Sequence, residues 1–309
     1  MPARWSAWGR FERYVVRVEL IGEQIQNGAR EAPVAVGGVG GSGTRVVASI
    51  LTQLGFYLGG DLNDSLDNLW FTLLFKRSSA LDCPAAEFED LLRIFQHVMS
   101  GGGELSPADV QTVIAASISP RPQHGPEWLS QRADSLLREC RRPRSLVSRW
   151  AWKEPNTHVL LPRLTQFVPQ LRYVHVARNG LDMAYSANQN QLHFWGAQVL
   201  DGIAAPAGPS RSLKFWVAAE RSALQAAAGM KERFLLVNYD RLCANPRTGL
   251  APLLEFFGVE ASAERLEAAT SLIRAPGTIG RFKQFPRENF DAQDVAFVRD
   301  CGFDTDWRN

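Results

Sequence analysis

No run of eighteen uncharged apolar residues occurs in this chain, so the sequence offers no membrane-spanning helix. Residues 1 to 31 are charged throughout and lack the apolar core of a secretory signal. Cysteine is scarce and scattered. Cys83, Cys140, Cys243 and Cys301 form no metal-ligand spacing and read as reduced thiols of a cytoplasmic protein. Neither sign of charge is in excess: 34 Lys and Arg against 32 Asp and Glu leave a net charge of +2. That balance excludes binding of polyanions by bulk charge, so any anion must be met by local clusters. With no interleaving of aromatic and basic residues, it also argues against a nucleic-acid partner. What remains is ordinary globular composition, 45% hydrophobic and 21% charged, in 309 residues. This is enough for one large α/β domain or two small ones.

The densest signal is Ala35-Val36-Gly37-Gly38-Val39-Gly40-Gly41-Ser42-Gly43-Thr44-Arg45. An apolar run from Pro33 enters five glycines within seven residues and leaves as Val46-Val47-Ala48-Ser49-Ile50-Leu51, which reads as strand, glycine loop, helix. Such a loop brings backbone N–H groups close to an anion, and the following helix presents unpaired N–H groups and a partial positive charge to it. Gly40, Gly41, Ser42, Gly43, Thr44 and Arg45 are therefore candidate anion ligands. From Gly38 to Gly43 the spacing is that of a nucleotide-triphosphate loop, but Thr44 and Arg45 stand where Lys and then Ser or Thr belong. The cation for the terminal phosphates and the hydroxyl for magnesium are both missing. A small-molecule kinase would lack two working parts.

Along the chain, residues 1–32 read as an N-terminal extension with an amphipathic helix over Phe11 to Ile25, followed by a domain over 33–309. Residues 61–99 have a helical pattern. The Gly- and Pro-rich segment 100–127 suggests loops around one short helix, and a helix over Trp128 to Glu139 leads into the basic run Arg138 to Arg149. Strands are expected at Ser145–Ala151, Leu171–Ala177 and Phe234–Tyr239. Helices are expected at Thr157–Phe167, Leu181–Phe194, Leu213–Ala228 (closed by Gly229) and from Asn245-Pro246 to Gly258. Strands alternating with helices predict an α/β fold of three layers, a central parallel sheet with helices on both faces. Ligands of such sheets bind beyond the carboxyl ends of the strands. Insertions about 61–144 and 195–212 are the expected acceptor lids.

A second anchor follows the Tyr173 to Ala177 strand: Arg178 ends it, and the next helix is expected to carry Ser186. A guanidinium fork and a compact hydroxyl suit phosphate. The glycine loop, this strand–Arg–helix–Ser segment and the intervening Trp152-Lys153-Glu154-Pro155 resemble sulfotransferases that use 3′-phosphoadenosine 5′-phosphosulfate (PAPS). The resemblance continues at Val237-Asn238-Tyr239-Asp240-Arg241-Leu242, similar to the family's Tyr-Glu-Asp-Leu stretch. It reaches Gly277-Thr278-Ile279-Gly280-Arg281-Phe282-Lys283, similar to its late Gly-x-x-Gly-Asp-Trp-Lys loop.

The resemblance implies a P-loop-like fold in which the first loop holds the 5′-phosphosulfate, and Arg178 and Ser186 hold the 3′-phosphate. Tyr239, Arg281 and Lys283 complete the cofactor site, no metal is required, and 3′-phosphoadenosine 5′-phosphate is the product. The chain departs from the family pattern in two loops. Gly40-Gly41-Ser42-Gly43-Thr44 replaces Pro-Lys-Ser-Gly-Thr, while Gly-Thr-Arg matches glycan-modifying members. Arg281 and Phe282 replace Asp and Trp, and the leading Arg-Lys is displaced to Arg274.

Sulfuryl transfer needs positioning and neutralisation of charge on the leaving phosphate. Lys153 is the candidate cation, since Lys-x-Pro recurs at that place in the family. Small-molecule members place a His two residues after this Lys, where Pro155 stands here. Glycan-modifying members use a Glu beyond the first helix, and the matching region is Gly60 to Asp64. The base is therefore sought among Asp61, Glu154, Asp64 and His158, the first two foremost. His175 is expected to be a packed core residue. Trp70, Phe71, Phe75, Phe194, Trp195 and Trp216 are either an apolar acceptor pocket or plain core. The acceptor expected is a hydroxyl or amine of a small molecule or saccharide. A non-catalytic nucleotide-binding module is the third reading.

Overall fold

Four short buried runs, Val34–Gly37 (β1), Ala151–Lys153 (β2), Arg172–Ala177 (β3) and Phe234–Asn238 (β4), pair into one parallel sheet of order β2-β1-β3-β4. The structure is a computed structural model that describes residues 32–142, 145–203 and 207–308. The helix expected over 11–25 and parts of the 138–149 and 201–210 segments lie outside the described residues. In register, Val34 faces Ala151 and Arg172, and Val36 faces Lys153 and Val174. The glycine loop, Lys153 and Arg178 thus leave the sheet at the same carboxyl edge.

Thirteen helices among the described residues cover the sheet. They are Thr44–Gln53 (α1), Leu69–Phe75 (α2), Ala85–Met99 (α3), Pro107–Ile118 (α4), Pro126–Cys140 (α5), Thr157–Phe167 (α6), Gly180–Ala184 (α7), Asn190–Leu200 (α8), Pro209–Met230 (α9), Tyr239–Ala244 (α10), Pro246–Phe257 (α11), Ala263–Ser271 (α12) and Ala292–Asp300 (α13). Strand alternation sorts the layers. Val34, Val36, Ala151, Val174 and Val176 pack against α1, α11 and α12. Ala35, Trp152 and Tyr173 on the other face pack with α2, α3 and α6. A third cluster gathers α7, α8, α9 and α13 around Trp195 and Trp216. The predicted three-layer α/β architecture is the observed one.

Four local expectations are corrected. The second strand lies at Ala151–Lys153 rather than 145–151, because the Val147 N–H donates to the Ser100 carbonyl and not to the sheet. Residues 61–68 form a turn, and helix begins only at Leu69, capped by the Asn68 side chain accepting from the Phe71 N–H. The predicted helix over 181–194 breaks after Ala184. The Asn188 N–H donates to Ser186 Oγ and the Asn190 N–H to Asn188 Oδ1, side-chain bonds that compete with the helical ladder. Ser186 therefore stands just past α7 rather than on a helix. Helix α9 runs through Gly229 to Met230, and Lys231, at φ 51°, makes the left-handed exit.

The aromatic residues resolve mostly into core. Every residue of α2 is buried, Phe71 stacks on Trp152 with centroids 5.6 Å apart, and Trp195 and Trp216 are also buried. A helix apolar on all sides is a core helix. Each large ring buried contributes about 1.5–3 kcal/mol.

Candidate active site

Two glycines fix the first loop. A Cβ on Gly38 (φ 148°) would lie 2.2 Å from the Val176 carbonyl oxygen, and one on Gly43 (φ 101°) 2.4 Å from the Tyr239 ring. Only glycine admits that backbone and those approaches. Among the described residues the N–H groups of Gly40, Gly41 and Gly43 donate to no backbone acceptor, and those of Thr44 and Arg45 open α1. Ser42 Oγ is buried and has no hydrogen-bond partner among the described residues. Donors of this kind gathered on one glycine turn suit an anion. Arg45 extends over its rim and donates to Ser65 Oγ at 3.2 Å.

Lys153 ends β2 beside the start of this loop. Its buried ammonium donates to the Ser65 carbonyl at 2.9 Å and to the carboxylate of Asp67. The turn that brings Asp67 there is built by Asn63, whose Oδ1 accepts from the N–H groups of Ser65 and Asp67, both at 2.9 Å. Its Nδ2 donates to the other Asp67 oxygen. Leu66 sits at φ 62°, a strained conformation for a residue with a side chain. The Asn68 N–H closes the turn onto the Lys153 carbonyl at 2.7 Å. Sequence reasoning missed Asp67. The available signal was Asn63-Asp64-Ser65, a side-chain-stabilised turn in a stretch taken as helix.

Among the described residues none of the other base candidates hydrogen-bonds the Lys153 ammonium. Asp61 pairs with Arg132 at 3.0 Å, and Asp64 is exposed. Glu154 is buried and accepts from the N–H and the side-chain amide of Asn156, both at 2.7 Å, with Lys76 at 3.7 Å. Burial raises its pKa. His158 is buried, with Nε2 against Gln191 Oε1 at 3.2 Å, and burial lowers its pKa to about 3. It is a neutral structural histidine at physiological pH.

His158 has a consequence for acid stability. The folded state refuses the proton that an unfolded histidine takes below about pH 6.5. The unfolded state then binds more protons, so stability falls as pH drops from about 6.5 toward 3, by up to about 1.4 kcal/mol per unit. His158→Asn is expected to flatten that limb in urea titrations at pH 4 to 7. An unchanged slope would assign the acid limb to other groups.

The second anchor is assembled by three segments. Arg178 is buried and donates from Nη2 to Thr278 Oγ1 at 2.6 Å, while its Nε makes no hydrogen bond among the described residues and forms an ion pair with Asp240 at 3.8 Å. Asp182 on α7 accepts from the N–H groups of Gly280 at 2.8 Å and Phe282 at 3.1 Å, which clasps the late glycine loop onto the Arg178 segment. Burial raises the Asp182 carboxyl. Arg281 donates to the Tyr185 carbonyl at 3.0 Å, and its pKa is lowered by burial and then by the like charge of Arg178. Ser186 lies one residue beyond Tyr185. Tyr239 packs its ring on Gly43 and reaches the Arg274 carbonyl at 3.5 Å, its phenol raised by burial. Lys283 turns instead to Asp304 at 3.2 Å.

Glycine loop, Lys153, Arg178 and Tyr239 all fall within residues 33–263, which match the profile of the Sulfotransferase family. The chain belongs to the sulfotransferase family. Among solved structures, this sulfotransferase is similar to the sulfotransferase domain of the olefin synthase of Synechococcus PCC 7002. Identity is 14%, over 92% of this chain and 99% of that one, with a TM-score of 0.50. The sulfotransferase domain from the curacin biosynthetic pathway matches at 14% identity, 89% and 99% coverage and TM-score 0.45. Sulfotransferase STF1 from Mycobacterium tuberculosis H37Rv matches at 17%, 86% and 74%, and 0.41. At such identity the first likeness shows the fold. No curated protein matches the sulfotransferase by sequence. Among the described residues no helix is long and apolar enough to cross a membrane.

Proposed function

We propose that this sulfotransferase moves a sulfuryl group from PAPS to a hydroxyl or amine of a small-molecule or saccharide acceptor. One observation carries the reading: the glycine loop and Arg178, both suited to an anion, follow adjacent strands β1 and β3 at one edge of the sheet. A ligand with two separate anionic ends suits that pair. The residues fit PAPS on their own chemistry. Among the described residues, the loop amides without backbone acceptors and the Ser42 hydroxyl without a hydrogen-bond partner suit a phosphosulfate. The Arg178 guanidinium, whose Nε makes no hydrogen bond and lies 3.8 Å from Asp240, suits a second phosphate with the like charge of Arg281 beside it. PAPS, when bound, supplies the sulfuryl group and a phosphate leaving group.

The chain's own residues then divide the work. The amides of Gly40, Gly41, Gly43, Thr44 and Arg45 orient and hold oxyanions, and Lys153 places a positive charge where the leaving oxygen gains negative charge. We assign the acceptor's proton to Asp67, the carboxylate that reaches Lys153, ahead of Asp61 and Glu154. Asp67→Asn is expected to lower turnover about 10²- to 10⁴-fold, with affinity for 3′,5′-adenosine bisphosphate nearly unchanged. Unaltered turnover would return the role to Asp61 or Glu154.

The test is incubation with radiolabelled PAPS and a panel of phenols, alcohols, amines and saccharides. Label transfer to an acceptor is the expected result. Tight binding of PAPS with no transfer to any acceptor would favour a non-catalytic nucleotide-binding module.

A further inference from the structure

Beneath the glycine loop lies a buried polar chain that the proposed chemistry does not use. Gln191, near the start of α8, donates from Nε2 to the Gly38 carbonyl at 3.3 Å while its Oε1 meets His158 Nε2 at 3.2 Å. Both residues are buried, and the Gln191 side chain also lies 3.7 Å from the Cβ position of Gly40. We propose that Gln191, oriented by His158, is the positioning residue that sets the anion cradle of the glycine loop.

The bonding pattern leaves one consistent arrangement. Gln191 Nε2 must donate to a carbonyl, so Oε1 is the atom facing His158. His158 must then carry its proton on Nε2 and donate it. A neutral imidazole of that tautomer fixes the amide against flipping, and the amide fixes the Gly38 carbonyl. A trans peptide holds C=O and the following N–H on opposite sides, so pinning the Gly38 oxygen toward Gln191 directs the Val39 N–H away from it. Among the described residues the Val39 N–H has no backbone acceptor, like those of Gly40, Gly41 and Gly43. The loop's own restraints are backbone bonds from the Gly38 N–H to Pro155 and from the Ser42 N–H to Val39, both at 3.0 Å, and neither holds the Gly38 carbonyl. A glutamine outside the loop supplies the restraint that side chains within it cannot. The sequence conceals this link because 153 residues separate Gln191 from Gly38.

The inference rests on the glycine loop being the donor site, and two readouts separate its failure from failure of that reading. The first needs no ligand. In Gln191→Met, which keeps the side chain's length and removes its hydrogen bonds, amide hydrogen exchange of Gly38 and Ser42, whose N–H groups donate to the Pro155 and Val39 carbonyls at 3.0 Å, is expected to quicken about ten-fold. The thermal midpoint should fall by only a few degrees, with unfolding still cooperative, because the buried His158 N–H and Gly38 carbonyl lose their partner. Unchanged exchange would overturn the proposal whatever the protein binds. The second readout is kinetic. The KM for PAPS is expected to rise about five- to ten-fold with kcat within about two-fold. Equal loss of kcat and KM performance, or none, would overturn the positioning role. His158→Asn, which can still donate to Oε1, is expected to show a smaller rise than His158→Leu. The reverse order would contradict the orienting role of His158.

Discussion

Lys153→Ala is expected to lower turnover about 10³-fold, roughly 4 kcal/mol of transition-state stabilisation. Affinity for 3′,5′-adenosine bisphosphate should remain within about three-fold. The expectation follows from where the ammonium sits. Register places Lys153 beside Val36, at the strand edge from which the glycine loop departs, and its Nζ is held by the Ser65 carbonyl and Asp67. A cation so restrained needs little reorganisation when charge develops on a nearby oxygen. Alanine would also strand Asp67, so Lys153→Met, which keeps the stem, separates lost charge from lost packing. Thermal unfolding of both variants checks that the fold survives. A defect confined to cofactor affinity, with turnover intact at saturation, would remove Lys153 from the chemistry.

The second large effect is expected at Arg178. Arg178→Ala should weaken binding of 3′,5′-adenosine bisphosphate by about 1.5–3 kcal/mol, the scale of a hydrogen bond to a charged group and roughly 10- to 150-fold in Kd. Arg178→Lys should recover only part of it, because an ammonium lacks the planar fork. Arg178 also donates to Thr278, so Thr278→Val serves as the control for that contact alone. Calorimetric titration of the three variants checks the prediction. Parent-like affinity in Arg178→Ala would mean that the second phosphate is bound elsewhere, with Arg281 the next residue to test.

Much of the frame was legible in the sequence because its signals are local. The apolar run entering glycines 37–43, the β-rich run before Arg178 and the helix over Thr157–Phe167 each depend on neighbouring residues, and the structure forms all three. The site was legible in outline only. Asp67 depends on a turn held by Asn63, a left-handed Leu66 and a sheet register that delivers Lys153 from 86 residues away. None of these leaves a periodic trace. Lys283 looked like a loop cation by its place in the late glycine-rich segment, but its partner is Asp304, a residue close only in space. His158 had the right type for a base, and burial makes it a hydrogen-bonding strut. Glu154 stands next to Lys153 in sequence, yet its carboxylate is taken by Asn156.

The measurement that bears most directly on the central claim is calorimetric titration of the protein, without magnesium, with 3′,5′-adenosine bisphosphate and separately with ATP. A loop lacking the triphosphate lysine, paired with a second anion site at Arg178, predicts tight binding of the bisphosphate and little binding of ATP. Preference for ATP, above all one that emerges on adding magnesium, would contradict the assignment of PAPS as donor.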